Sequence, residues 1–180
     1  MSLDKTIIVS CLVTPSAIQD NTPFLDLVRR AQFRWQLSLK RVVADARFGT
    51  VPNIVGLEQQ GIQAFMPLHT DSKRKKGKQK TFGSDQFHFD PEKNHYVCPQ
   101  GEYLTFRTHD NHTQRIIYQA SDEVCRACPI MAQCTTGKTG RRVGHSFFKA
   151  ILDHVRSYYD TDLYKKSMRK RQVWVEPKFG

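Results

Sequence analysis

The stretch VVADARFGTVPNIVGLEQQGIQAFMP, residues 42–67, decides the fold. Val42, Val43 and Ala44 make a short apolar strand that ends on Asp45, with Arg47 and Gly49 close behind. TVPNIVGLEQQG (50–61) then reads as a helix closed by Gly61 just past its end. IQAFMP reads as a second strand, broken by Pro67. Strand, helix, strand at these lengths predicts an α/β domain with a largely parallel sheet. Such sheets present their chemistry at the carboxyl ends of strands, where Asp45 stands. Taken alone, Asp45 is equally well explained as an ordinary strand-ending residue in a turn.

Upstream, TIIVSCLVTP (6–15) is β-branched and too short for a helix, which predicts a buried strand stopped by Pro15, with Cys11 as a small core residue. Asp20 offers an N-cap and Pro23 a first-turn proline. The helix they introduce repeats Phe24, Leu27, Val28, Ala31 and Trp35 at helical spacing, and Trp35 is expected in the core. Downstream the character changes. DSKRKKGKQKTFG (71–83) is a charge run with no apolar period, expected as a loop. From 82 to 145 the chain is aromatic, polar and turn-rich, predicting short hairpins with a Pro-Gln-Gly turn. Helical periodicity returns from about Phe147 to Met168, through Phe148, Ile151, Leu152, Val155 and Tyr159.

The chain of 180 residues suits one domain with an inserted subdomain: 1–70, a first part of the core; 71–145, a basic loop and cysteine-bearing insertion; 146–180, a helical part completing the core. Its net charge of +11 is unevenly spread. Residues 1–70 hold seven Lys/Arg against five Asp/Glu, whereas 71–180 hold 21 against 12. That asymmetry favours a polyanionic partner, most often nucleic acid. No apolar run is long enough to span a bilayer, and the N-terminal stretch carries an acid where a signal peptide needs positive charge. A cytoplasmic location is the expectation.

Five cysteines without an export signal argue against a disulfide framework. Cys98, Cys125, Cys128 and Cys134 lie in YVCPQGEYL and CRACPIMAQC, spaced so that two knuckles would clasp one ion. Zn²⁺ is the default for a closed thiolate site, and its role would be structural, supplying folding energy to a segment with little core. Unliganded cytosolic thiols are the plainer alternative. Arg141 and Arg142 follow the cysteine unit and suit either DNA steering or solvation. Trp174 suits packing under the last helix better than stacking on a base.

The 42–67 segment resembles the second-aspartate segment of DDE-type insertion-sequence transposases: an apolar strand, Ala-Asp, a small residue, an aromatic, Gly, then a helix ending in Gly-Ile. Ala44, Asp45, Ala46, Phe48, Gly49, Gly61 and Ile62 carry it. IIVSCLVTPSAIQDNTPFLDLVRRA is similar to the preceding family strand and helix, and the cysteine segment resembles an insertion found in one subgroup. YKKSMRKRQVWVEPKFG resembles the last family motif through Arg171, Glu176, Pro177, Phe179 and Gly180.

The resemblance implies an RNase H-like mixed sheet with flanking helices, interrupted by a small β-rich zinc knuckle. It implies Asp45 and Glu176 as the second and third acids of a DDE triad, holding Mg²⁺ or Mn²⁺ for phosphodiester cleavage and strand transfer. Lys165, Lys166, Arg169, Lys170 and Arg171 would hold DNA phosphates beside the site, and Lys73, Arg74, Lys75 and Lys76 would add loop contacts. The partners implied are element-end and target DNA, no membrane, and further copies of the chain, as in other transposases. No residue occupies the family's first-aspartate motif: Asp4 precedes a later strand, and Asp20 reads as a helix cap. The expectation is a transposase truncated at both ends, with little activity of its own. The alternatives are a non-catalytic zinc-knuckle module that binds nucleic acid, which would be indifferent to Asp45 and Glu176, and a decayed remnant.

Overall fold

The computed structural model describes residues 8–69 and 81–174. In chain order the elements are α1 (Phe24–Trp35), β1 (Arg41–Val43), α2 (Val51–Glu58), β2 (Gln63–Phe65), β3 (His88–Asp90), β4 (His95–Val97), β5 (Tyr103–Asp110), β6 (Arg115–Ala120), α3 (Asp122–Ala127), α4 (Met131–Cys134), β7 (Arg142–Ser146), α5 (Lys149–Ser157) and α6 (Asp162–Trp174). The protein is a mixed α/β chain of two compact units, residues 1–76 with 150–180 and residues 77–149.

The first unit is built on the quoted stretch. β1 and β2 pair in parallel, with Arg41 opposite Gln63 and Val43 opposite Phe65. α2 forms the crossover that a parallel pair requires. Its apolar side chains explain where it goes: Ile54 and Leu57 are fully buried with Ile62, Ala64, Met66 and Leu68, and Leu152 and Val155 of α5 complete the cluster. Polar ties reinforce the packing. Glu58 accepts the Ala64 N–H at 2.8 Å and the Tyr158 hydroxyl at 3.2 Å. The Tyr159 hydroxyl accepts the Leu68 N–H at 2.8 Å.

Four expectations fail here. Residues 8–15 form no strand, and Ile8 and Val13 are exposed. β-branched composition supplies only a propensity, and a strand also needs a partner edge. In this segment the carbonyl of Val9 instead accepts the Trp35 indole N–H at 2.7 Å. Trp35 is accordingly half exposed rather than core, and Cys11 is exposed. Asp20 does not cap α1, whose N-cap is Pro23; it pairs with Arg47 at 3.2 Å. The 147–168 periodicity resolves into two helices, α5 and α6, separated by the turn at 158–161.

In the second unit β3 to β7 form one antiparallel sheet in sequence order. One face carries an aromatic core of Phe87, Tyr96, Tyr118, Leu104, Val143 and Cys134. Tyr96 and Tyr118 stand edge to face at 5.2 Å, and their hydroxyls reach His145 Nδ1 at 2.9 Å and Asn94 Oδ1 at 2.6 Å. Aromatic bulk with polar handles suits such a core, because each buried hydroxyl has a partner.

Candidate active site and cysteine cluster

Asp45 lies two residues beyond the end of β1, in a tight loop that leads into α2. Its Oδ1 accepts the Arg47 N–H at 2.8 Å, and its backbone carbonyl accepts the Phe48 N–H at 3.1 Å. The loop is then fixed from outside. Asn53, only 3% exposed, donates through Nδ2 to the carbonyls of Asn21 (3.0 Å) and Phe48 (3.1 Å). Asn21 donates to the Arg47 carbonyl at 3.0 Å. The His69 N–H donates to Gly49 O at 2.8 Å, and its Nδ1 lies 3.3 Å from Ala46 O, a contact that needs the ring proton on Nδ1. Gly49 permits the approach: a Cβ there would stand 1.8 Å from the Pro67 carbonyl oxygen. Every buried backbone group so tied resists displacement, because breaking such a bond leaves it unsatisfied.

The second carboxylate oxygen of Asp45 meets α6. Arg171 Nη2 lies 3.1 Å from Oδ2, with the Arg171 side chain 16% exposed and that of Asp45 43%. The helix is set for this contact by Tyr164, seven residues earlier and so on the same face, whose ring stands 5.3 Å from that of Phe65. Burial raises the Tyr164 phenol to about 12, keeping it neutral in this apolar setting. The structure therefore unites two residues that lie 126 positions apart in sequence and belong to separate motifs.

Of the basic run, Lys165, Lys166, Arg169 and Lys170 project from exposed positions on α6, whereas Arg171 turns inward to Asp45. Lys165 Nζ donates to the Asp160 carbonyl at 2.8 Å. Glu176, Lys73, Arg74, Lys75 and Lys76, together with the side chain of Trp174, lie outside the described residues. Sequence reasoning missed Asn21, Asn53 and His69. The available signal was Asn53, a polar residue within the otherwise apolar run VPNIVGL.

The four cysteines line one cavity of about 30 Å³, with Pro99, Val124, Ile130 and Met131 among its walls. Cys98 opens a turn in which its Sγ accepts the Gln100 N–H at 3.4 Å, and Gly101 closes it at φ +83°, a conformation that favours glycine. Cys125 Sγ accepts the Arg141 N–H at 3.4 Å. The Cys134 thiol is pushed up by burial, opposed by Arg141 and reinforced by Cys125, Cys98 and Cys128. Arg141 is a structural tie: its guanidinium donates to Cys134 O at 2.9 Å and Phe82 O at 2.7 Å. Among the described residues, no group of three or more His, Cys, Asp or Glu side chains stands ready to hold a metal ion. Nor, among them, is any helix long and apolar enough to cross a membrane.

Residues 97–180 match the family model described as Transposase DDE domain. The match supports the resemblance to DDE-type transposases over this C-terminal part of the chain, which includes Arg171 and the four cysteines. Comparison with curated proteins and with solved structures returned no match. Transposases of this class act on DNA and generally use divalent metal ions.

Proposed function

We propose that the chain forms the Asp45- and Glu176-bearing part of an RNase H-like DDE transposase catalytic domain. The observation that carries this reading is the junction of Asp45, at the carboxyl end of a strand in a parallel β-α-β unit, with Arg171 of the last family motif. Two segments remote in sequence meet at an acid of the type such chemistry uses.

Asp45 supplies a hard-oxygen donor, and Glu176 is its proposed partner. Divalent ions bound there would stabilise the attacking and departing oxygens of an in-line displacement at phosphorus. The chain's own residues do the rest. Asn53, Asn21 and His69 fix the loop so that the carboxylate presents one orientation. Arg171 neutralises Asp45 and holds its second oxygen; a cation approaching that oxygen must compete with the guanidinium. The exposed Lys165, Lys166, Arg169 and Lys170 present positive charge to DNA phosphates, a sequence-independent attraction. Lys73, Arg74, Lys75 and Lys76 are proposed to add to it.

The four thiols suit a structural Zn²⁺ in type and number and line one cavity, but as they stand they are not grouped to hold an ion. Two of them already accept backbone N–H groups, the bonds that orient thiolate ligands. The ion would require their deprotonation, and neutralising their mutual repulsion would let the sulfurs close in.

Because the 180-residue polypeptide carries no residue in the first-aspartate motif, it is expected to bind DNA but scarcely cleave it. The test pairs a gel-shift assay on duplex DNA with plasmid nicking in Mg²⁺ or Mn²⁺. The expected result is salt-sensitive binding, unchanged by Asp45→Ala, with no nicking. Robust nicking abolished by Asp45→Ala would overturn the expected inactivity. Absence of binding even at low salt would overturn the transposase reading.

A further inference from the structure

The sheet of the second unit has a second face, opposite the aromatic core, and its charge pattern has no role in the reading above. Register places Thr105, Gln119 and Arg142 side by side across β5, β6 and β7. Neighbouring Leu104, Tyr118 and Val143 belong to the core, so by alternation this row points outward. The pairing shifts between Phe106 and Thr108, which leaves Arg107 as the extra residue of a β-bulge. Bulges re-aim side chains, and here Arg107 donates through Nη1 to Gln119 Oε1. Arg142 Nε donates to the same oxygen at 2.9 Å.

Two exposed guanidiniums thus converge on one neutral amide oxygen. Like charges gathered in this way gain from an anion between them, and guanidinium forks match the oxygens of a phosphate. The adjoining Asp122 has Oδ1 engaged by the Gly140 N–H at 2.7 Å and by Gln119 Nε2 at 3.1 Å. Asp122 thereby fixes the amide whose oxygen aligns the arginines. Arg115 extends the basic row on β6, bonded to the Gly144 carbonyl. Along the β5 side runs an open groove of Tyr103, Thr105, Phe106 and Arg107, with Gln119 and Ser121. Tyr103 is 58% exposed, and His95 stands edge-on to it at 4.5 Å.

The geometry points to this outer face as a binding surface for the phosphate backbone of a DNA strand, with Arg107 and Arg142, aligned by Gln119, as its anchoring pair. The inference rests on the DNA-binding reading above but assigns it to a surface that neither the acids nor the α6 lysines form.

The test is fluorescence anisotropy of the full chain with a labelled duplex, titrated in NaCl, for wild type, R107Q/R142Q and R107K/R142K. Thermal melting checks that each variant is folded. Two lost phosphate contacts should lower the slope of log K against log salt by about 1.8 and weaken binding roughly tenfold or more at low salt. The lysine pair should keep most of the slope. Gln119→Met, which keeps both charges and removes their common acceptor, should weaken binding by a smaller factor. An unchanged slope and affinity in folded R107Q/R142Q would overturn this surface while leaving DNA binding elsewhere intact. Wild type that binds no duplex would overturn both readings. Protection of the pair by inorganic phosphate alone, with the DNA slope unmoved, would mark a small-anion site and also overturn the proposal.

Discussion

The two units bury different chemistry. Residues 1–76 with 150–180 close around aliphatic side chains, Ile54, Leu57, Ile62, Met66, Leu68 and Val155, gathered by a parallel strand pair and its helices. Residues 77–149 close around rings and a thiol, Tyr96, Tyr118, Phe87 and Cys134, on one face of an antiparallel sheet. The first core needs only periodic burial. The second lies in a unit so small that a core alone rarely supplies more than about 3–5 kcal/mol, a size at which staples become necessary. A metal bound by Asp45 would serve chemistry, whereas one bound by the cysteines would serve folding.

Metal removal should break that comparison most visibly. Purified chain is expected to carry one zinc, and chelation or Cys125→Ser should abolish hydrogen-exchange protection across β5 and β6. Zinc-site binding energies of order 10 kcal/mol would make this the largest effect. Protection that survives without metal would show the aromatic core to be self-sufficient.

Next in size, Leu57→Ala empties a fully buried site in the first core. Denaturant unfolding followed by amides of β1 and α2 should lose about 2–5 kcal/mol, with the zinc content unchanged. A change below about 1 kcal/mol would mean that the α2 contact is not tightly packed.

Gly49→Ala sharpens the account of the Asp45 loop. The added Cβ meets the Pro67 carbonyl, so the loop must move, at a cost of about 1–3 kcal/mol. Wild-type stability for this variant would show the loop to be looser than its hydrogen bonds imply.

The smallest effect concerns pH. Burial, then Glu58, raises Tyr158 to about 12, and burial, then Tyr159, raises Tyr164 to about 12. Both phenols would ionise near 10 when unfolded. Their contribution is therefore complete below pH 10 and is lost as pH climbs from 10 towards 12. Spectrophotometric titration should show these two phenols ionising late, with the first unit loosening as they do. Tyrosinate absorbance complete by pH 11 would contradict this.

Much of the first unit was legible because local pattern and tertiary outcome agree there. Val42 and Val43, the apolar face of 50–61 and the 63–65 run fold as read, since each finds its partner within about twenty residues. Residues 8–15 were misread because β-branched composition cannot reveal whether a neighbouring edge is available. Trp35 was misread because an amphipathic stripe does not show how far a neighbouring layer extends. The place of Asp45 just past a strand end was legible, and Arg171 was read from its motif only as a DNA contact. Their pairing depends on α6 docking through Tyr164, which no local pattern encodes. Asn53, Asn21 and His69 act through backbone carbonyls, and such bonds leave almost no trace in residue type. The Arg107 bulge was invisible for a related reason: it is a register shift between strands, not a property of either one.

Asp45 and Glu176 are proposed to share a divalent-metal site. The most direct test is anomalous diffraction from crystals of the chain grown with Mn²⁺. The account predicts a Mn²⁺ peak in contact with Asp45, the two carboxylates within about 8 Å of one another, and the Arg171 guanidinium drawn back from Asp45 Oδ2. Mn²⁺ bound elsewhere, or a Glu176 carboxylate well beyond that distance with Arg171 still on Asp45, would contradict it.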